Sequence, residues 1–118
     1  MKQFYFERLE VWQEARSLTK LIYTITAHFP SEEKYGLTSQ LCRATLSISA
    51  NIAEGMGRIT EKDKARFVNQ AFSSAIEVVN FLVLANDLGF IRTAVFVGLR
   101  LLSVCILILC IMKNKNIN

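Results

Sequence analysis

The polar side chains that could carry chemistry in this chain follow one another along a single predicted helix. They are spaced three or four residues apart, so they form one stripe on a helix of about 3.6 residues per turn. A carboxylate beside an arginine and an asparagine could act as a general base. The candidates are Glu54 of this helix and Glu77 of the next helix. The stripe consists of Gln40, Arg43, Ser47, Asn51, Glu54 and Arg58.

Two structural interpretations of this polar stripe stay open beside the catalytic one. On a solvated face, Glu54 and Arg58 would form an i,i+4 ion pair that contributes only ~0.2–0.5 kcal/mol. In a buried or interfacial hydrogen-bonding ladder, the serine and asparagine would bond to a neighbouring helix. This interpretation is favoured because both residue types are poor choices for a helix face that is only exposed to solvent. We also predict that Glu77 pairs with Arg43 or Arg58, within one chain or across a subunit boundary. The loss of one partner of a buried pair costs ~3–5 kcal/mol.

The rest of the sequence gives catalysis little support. His28 is the only histidine, which excludes a multi-histidine metal site within one chain, and its place before Pro30 predicts a role at a helix end. The three cysteines lack CxxC spacing and are typical of small buried residues in a reducing cytoplasm: Cys42, Cys105 and Cys110. No GxxxxGK[ST] loop is present to hold a phosphate. We therefore expect neither an enzyme nor a bound metal or cofactor.

Four basic residues near the turn after the stripe are the candidates for contacting nucleic acid. Interspersed acidic residues dilute their charge, and no aromatic side chains alternate with them to stack on bases. If they bind a phosphate backbone, the affinity falls steeply with salt. The candidates are Arg58, Lys62, Lys64 and Arg66.

The net charge of +4 does not by itself indicate a nucleic-acid-binding protein. Residues 1–87 carry ten basic and ten acidic side chains, so that part of the chain is neutral. The whole excess lies after Asp87, in Arg92, Arg100, Lys113 and Lys115.

The composition predicts one folded all-α domain. A chain of 118 residues that is 52% apolar and 20% charged has room for one core and is not intrinsically disordered. One proline and five glycines are too few for a turn-rich all-β chain. Apolar residues recur at three- and four-residue steps in segments near 6–29, 37–54, 61–88 and 92–112. Their short connectors predict an up-down-up-down antiparallel four-helix bundle over residues 1–118.

Single residues predict where these helices begin and end. Pro30 ends the first helix, and the connector that follows has room for one helical turn. Gly55 and Gly57 are predicted to end the second helix in a left-handed turn. Thr60, with an acidic residue three positions later, is a predicted N-cap of the third helix, and Gly89 closes that helix.

Around the polar stripe the sequence resembles the signature of the 23S rRNA intervening-sequence proteins. The central part of the match is the run YGLTSQL at 35–41, followed by Arg43-Ala44, Ser47-Ile48, ANIAEG at 50–55 and Gly57-Arg58. The first helix matches through FERLEVWQEA at 6–15 and Phe29-Pro30, and the third through Phe67, Ala71, Ser73-Ser74 and Glu77. The family usually has glycine where Ser73 stands. The resemblance covers roughly residues 6–91.

The resemblance implies a small bacterial four-helix-bundle protein that assembles into a ring, typically a homopentamer, without established catalytic residues. Some members are encoded within insertions in the 23S rRNA gene. A similar fold occurs in the accessory variability proteins of diversity-generating retroelements, which form basic pentamers that engage reverse transcriptase and nucleic acid. For the matched residues the resemblance implies a structural or interfacial role: Arg43, Ser47, Asn51, Glu54, Gly55, Arg58 and Glu77.

The last segment departs from the family, whose members usually carry a polar-faced fourth helix there. Of the 19 residues at 94–112, 16 are apolar, and a helix that is apolar all round is buried in protein or in lipid. Its uncharged stretch, 101–112, has only 12 residues, whereas a membrane span needs ~20. We therefore expect this segment to be buried in protein, in the core and against another subunit, with a membrane as the alternative.

These features together predict a non-enzymatic, homo-oligomeric binding protein, expected to be pentameric and associated with RNA or DNA. The alternative is a protein-interaction scaffold without a nucleic-acid role, because helices that are apolar on two sides indicate interfaces. The first residues contain no apolar core of signal-peptide length, so we expect a cytoplasmic protein.

Overall fold

The computed structural model describes residues 1–117, which form four α-helices and two short 3₁₀ turns. No residue in that range lies in a strand, so the predicted all-α class is confirmed. The helices are α1 (Glu10–Thr26), α2 (Leu37–Met56), α3 (Glu61–Asp87) and α4 (Thr93–Ile117), and the 3₁₀ turns are Tyr5–Arg8 and Ser31–Glu33.

Each helix packs against two neighbours around the bundle. Helix α2 contacts α1 and α3, and α4 contacts α3 and α1, which leaves α1 and α3 on one diagonal. Because short connections join consecutive helices, neighbours run in opposite directions, as predicted for an up-down-up-down bundle. This order places the polar sides of α2 and α3 next to each other.

The core contains one stripe of small and apolar side chains from each helix. On α1 the buried positions Val11, Ala15, Leu18 and Ile22 recur at steps of four, three and four residues, which matches the helical period. Full burial of a Leu or Ile side chain contributes ~1.5–3 kcal/mol, so these stripes hold the bundle together. The buried residues of α4 are Leu99, Ser103, Ile106 and Cys110.

Two helix boundaries differ from the prediction for local reasons. Helix α1 begins at Glu10 rather than near residue 6, because Tyr5–Arg8 forms a 3₁₀ turn and Leu9 is extended at φ −75° and ψ 133°. Helix α4 continues beyond Met112 to Ile117, since the residues that follow Met112 include no glycine or proline to stop it.

The predicted left-handed turn at Gly55 and Gly57 is wrong. Helix α2 continues through Gly55 to Met56, and Gly57 has a φ of −88°, in the ordinary right-handed region. Among the described residues the only positive φ belongs to Gly89, at 77°, and this glycine closes α3 as predicted. At Gly55 the reason for glycine is space, because an added Cβ would lie 2.7 Å from the Cβ of Phe67.

Helix α4 is buried on one side only. The predicted burial in the core is confirmed for its inner face, whereas its outer face is exposed in the single chain. Six large apolar side chains on its outer face are 39–65% exposed. By length and composition, stretches of both α3 and α4 are apolar enough to cross a membrane, with mean hydropathies of 1.4 and 2.7. The exposed side chains of α4 are Val97, Leu101, Val104, Ile108, Ile111 and Met112.

Candidate functional site

The polar sides of α2 and α3 form an open groove with a volume of about 640 Å³. Two cationic side chains, Lys62 and Arg66, lie on its α3 wall. None of the described residues that line the groove is acidic, and most of the others are neutral hydrogen-bonding groups. The lining residues are Ser47, Asn51, Lys62, Ala65, Arg66, Asn69, Gln70, Ser73 and Ser74.

The α3 wall of the groove is positioned by the first turn of that helix. The Thr60 side chain accepts a hydrogen bond from the backbone N–H of Asp63 at 3.2 Å, which confirms the predicted N-cap. From this start, residues 62, 66, 69 and 73 follow at steps of four, three and four, so they share one face of α3. The helical period therefore places these four side chains on the groove side of α3.

The distance between the two walls depends on Gly55. This residue is buried inside α2, opposite Phe67 of α3, and the absence of a side chain lets the two helices approach closely. Phe67 is only 6% exposed, so its ring fills the space beneath the first turns of α3. The ANIAEG motif thus ends in a glycine because of packing between helices.

A short hydrogen-bonded ladder connects the walls at the floor of the groove. The hydroxyl groups of Ser47 and Ser74 lie 2.8 Å apart, and either can donate. Asn51 donates from Nδ2 to the backbone oxygen of Ser47 at 2.8 Å and to its Oγ at 3.0 Å. Ser47 and Asn51 are half-buried, whereas Gln40, Arg43, Glu54 and Arg58 of the same stripe are exposed. Half-buried side chains with a hydrogen bond to the neighbouring helix therefore occur in the middle of the stripe, while the side chains at its ends are exposed.

The predicted pairing of Glu77 with an arginine of α2 is confirmed within the chain. Arg43 donates from Nη2 to Oε2 of Glu77, and its Nε and Nη2 also donate to Oε1 of Gln40 at 3.1 and 3.0 Å. The two charged side chains are 53% and 37% exposed, so the pair is not buried. The stabilisation estimated for a buried ion pair therefore does not apply to it. An exposed pair contributes ~0–1 kcal/mol instead of ~3–5 kcal/mol.

Only two of the four nucleic-acid candidates line the groove. Lys62 and Arg66 line the groove, and Arg66 lies 3.7 Å from Asp63 in a loose ion pair. Lys64 lies 3.9 Å from Glu61 and borders a different hollow near Tyr5.

Arg58 makes no ion pair with Glu54 or with any other residue at 1–117, so the predicted i,i+4 pair is wrong. Its guanidinium carbon lies 4.5 Å from the centre of the Phe67 ring, and the guanidinium carbon of Arg66 lies 4.7 Å from the same ring. Stacking on an aromatic ring is a favourable alternative to a surface ion pair for arginine.

Neither carboxylate proposed as a general base lies in the groove. Glu77 is engaged by Arg43, and Glu54 is an exposed residue near the end of α2. A general base must come within hydrogen-bonding reach of a bound substrate, and neither Glu54 nor Glu77 lines the groove between α2 and α3. At the centre of the stripe, Ser47 and Asn51 are engaged in hydrogen bonds with each other and with Ser74 of α3.

Two polar groove residues on α3 belong to no motif or candidate set predicted from the sequence: Asn69 and Gln70. Asn69 accepts a hydrogen bond at Oδ1 from Nδ2 of Asn114 at 2.8 Å, which links the α3 wall to α4 and leaves the Asn69 amide group to donate to a ligand. A signal was present, since these residues continue the spacing that begins at Lys62 and Arg66. Charge identifies lysine and arginine as candidates for binding nucleic acid, but it does not identify the neutral amide side chains beside them.

The histidine and cysteines do not form a reactive centre in the described part of the chain. Residues 1–117 contain no group of three or more His, Cys, Asp and Glu side chains placed to hold a metal ion. Cys110 is buried, while Cys42 and Cys105 are half-buried. Burial raises the pKa of the Cys110 thiol to about 11, which keeps it protonated and unreactive at neutral pH.

Among solved structures, the chain is similar to a protein of unknown function from the S23 ribosomal protein family of Bacteroides thetaiotaomicron. The two share 22% sequence identity with a TM-score of 0.83, over 89% of this chain and 98% of that chain. At this identity the likeness concerns the fold, and it agrees with the four-helix bundle described above. No curated protein matches the sequence.

The family model of the 23S rRNA-intervening sequence protein matches residues 7–107. This range contains α1, α2, α3, the whole groove and more than half of α4. It extends beyond the resemblance near residue 91, so the family pattern continues into the apolar last helix. The chain belongs to the 23S rRNA-intervening sequence protein family.

Proposed function

We propose that this chain is a non-enzymatic homo-oligomer, expected to be a pentamer, that binds the backbone of structured nucleic acid in the groove between α2 and α3. The observation that carries the proposal is the wall of α3, where Lys62 and Arg66 stand among neutral hydrogen-bonding side chains. Phosphate oxygens accept strong charge-assisted hydrogen bonds from ammonium and guanidinium groups. A groove with no acidic lining residue among those described does not repel them.

The size and lining of the groove favour a backbone over a base as the ligand. Between Lys62 and Ser73 the α3 wall is about 17 Å long, which gives room for more than one phosphate of a nucleic-acid backbone. Amide and hydroxyl groups such as Asn69 and Gln70 can bond to phosphate and to the 2′-hydroxyl of RNA. No aromatic side chain lines the described groove, so stacking on unpaired bases does not contribute.

Assembly explains how so few charges could give useful affinity. One groove offers two cationic side chains, and five copies in a ring would offer ten. Sites on one assembly that engage the same nucleic acid strengthen each other, because each later contact is intramolecular. We place this binding in the cytoplasm, where an odd number of cysteines can remain reduced.

Fluorescence anisotropy with a labelled RNA hairpin tests the proposal. We expect binding at ~50 mM salt and a large loss of affinity by ~200 mM salt. The double variant Lys62→Gln/Arg66→Gln should bind at least ten-fold more weakly. The matched control Arg16→Gln/Lys20→Gln removes two exposed charges of α1 and should bind like the wild type. Absence of wild-type binding at ~50 mM salt, or equal loss in both variants, would contradict the proposal.

A protein-interaction scaffold is the second candidate, and the exposed apolar face of α4 favours it. A scaffold should retain its partners after nuclease treatment of a cell lysate, whereas a nucleic-acid-binding protein should lose those held through RNA or DNA. Pull-down before and after nuclease separates the two functions.

A further inference from the structure

The cationic side chains of the groove are concentrated at one end. Lys62 and Arg66 lie in the first two turns of α3, and the groove residues farther along that wall, at 69–73, are neutral. An internal stretch of nucleic-acid backbone carries one negative charge at every phosphate along its length. The uneven charge of the groove therefore fits a ligand whose negative charge is greatest at one end.

Arg58 adds a third positive charge to this end of the groove. Its guanidinium carbon lies 4.5 Å from the centre of the Phe67 ring, and the guanidinium carbon of Arg66 lies 4.7 Å from the same centre. The two guanidinium groups are therefore no more than about 9 Å apart. A phosphate that accepts charge-assisted hydrogen bonds of about 2.8 Å on two of its sides can reach both groups.

The N–H groups of Arg58 and Arg66 make no hydrogen bond within residues 1–117, where Arg43 is the only arginine whose side chain donates one. In the loose ion pair of Arg66 with Asp63, the nitrogen and oxygen are 3.7 Å apart, which is beyond hydrogen-bonding distance. A contact through the face of an aromatic ring does not use the N–H groups at the edge of a guanidinium. Both arginines can therefore donate to a bound anion.

The charge balance at this end matches a phosphate monoester better than a diester. Arg58, Lys62 and Arg66 carry three positive charges. Asp63 is the only acidic side chain of residues 1–117 within ion-pairing distance of them, so two positive charges remain. An internal phosphodiester carries one negative charge, whereas a monoester carries about 1.5–2 at neutral pH and offers three oxygens as acceptors.

We propose that Arg58 and Arg66 bind the terminal phosphate monoester of a nucleic-acid strand whose backbone continues along the groove. The neutral side chains at 69–73 then face the sugars and phosphates that follow. This inference rests on the proposed function and adds to it the kind of nucleic acid, a strand with a phosphate at its 5′ or 3′ end.

Fluorescence anisotropy with three RNA hairpins of one sequence tests this site. Each hairpin carries an internal label, and the three end in a 5′-phosphate, in a 3′-phosphate or in hydroxyl groups only. We expect the wild type to bind at least one phosphorylated hairpin about ten-fold more tightly than the hydroxyl-ended hairpin at ~50 mM salt, because hydrogen bonds to a charged group are lost with the phosphate.

Variants of single arginines assign this preference to the site. Arg58→Gln should reduce the preference to less than about three-fold and bind the hydroxyl-ended hairpin within about three-fold of the wild type. Arg58→Lys, which retains the charge but loses the planar fork of donors, should keep part of the preference. Arg16→Gln is the matched control and should keep all of it, since Arg16 is also exposed and lies 5.6 Å from the centre of the Trp12 ring. Circular dichroism checks that all variants remain helical.

Three results would overturn the terminal phosphate site. Equal affinities of the wild type for the three hairpins would remove it and leave the proposed function standing. An unchanged preference in folded Arg58→Gln, or an equal loss of preference in Arg16→Gln, would also remove it. Absence of binding to all three hairpins would contradict the proposed function itself and the terminal site with it.

Discussion

Replacement of Gly55 by alanine tests whether the space between α2 and α3 is as limited as the structure indicates. An added Cβ would lie 2.7 Å from the Cβ of Phe67 and 3.5 Å from the backbone oxygen of Lys64. The first distance is well inside van der Waals contact, and it involves an atom that no rotamer change can move. One of the two helices must therefore shift.

The expected magnitude is the difference between two opposing terms. Overpacking of a close helix contact costs about 1–3 kcal/mol. Alanine is a better helix former than glycine by about 1 kcal/mol, which offsets part of that cost. Gly98 of α4 provides the control, because a Cβ there meets nothing within 4 Å and only the favourable term remains. We therefore expect Gly55→Ala to lower the free energy of unfolding by up to about 2 kcal/mol and Gly98→Ala to raise it by about 0.5–1 kcal/mol.

Urea denaturation followed by circular dichroism measures both changes under the same conditions. A double variant sharpens the test, since Phe67→Leu retains the Cβ at residue 67 and should not rescue Gly55→Ala. If Gly55→Ala stabilises the protein as much as Gly98→Ala does, the reasoning about close approach is refuted. Rescue by Phe67→Leu would show that the ring, not the backbone separation, limits the space.

Three further predictions concern single side chains. Glu77→Gln should change the free energy of unfolding in urea by less than about 1 kcal/mol, because its pair with Arg43 is exposed; a loss of about 3 kcal/mol would show that the assembly buries the pair. Thr60→Ala should cost about 1 kcal/mol in the same assay through the lost N-cap, and an unchanged midpoint would contradict the cap. Burial raises the pKa of the Cys110 thiol from 9.0 to about 11, so the thiol of the unfolded chain loses its proton at a lower pH than that of the folded protein. The free energy of unfolding should therefore fall between pH 9 and pH 11, by up to about 3 kcal/mol more in the wild type than in Cys110→Ala. Equal pH slopes for wild type and Cys110→Ala would refute this.

The sequence predicted the features that depend on local rules. The cap at Thr60 and the left-handed Gly89 follow from the residue type and its position at a helix end. The partner of Glu77 was predictable because the residues of the polar stripe and of the third helix lie on faces that a bundle brings together. These inferences need only the helical period and the order of the helices.

The features that the sequence did not predict depend on distances between helices. Gly55 has the same sequence neighbourhood whether it ends a helix or permits close packing, and only the position of Phe67 distinguishes the two roles. The exposure of the Arg43–Glu77 pair likewise depends on how far the side chains extend beyond the packed surface. Asn69 and Gln70 continue the helical spacing that begins at Lys62 and Arg66, but only the position of that face beside Ser47 and Asn51 makes them groove residues.

The salt dependence of RNA binding tests the central claim most directly. Titrations of the wild type and of Lys62→Gln/Arg66→Gln at several salt concentrations give the slope of log K against log salt, which counts the phosphates that each protein neutralises. If the groove binds the backbone, the slope of the double variant should be smaller by about 2 for each groove engaged, and Arg16→Gln/Lys20→Gln should keep the wild-type slope. Identical slopes for the wild type and Lys62→Gln/Arg66→Gln would contradict the assignment of this groove as the nucleic-acid-binding site.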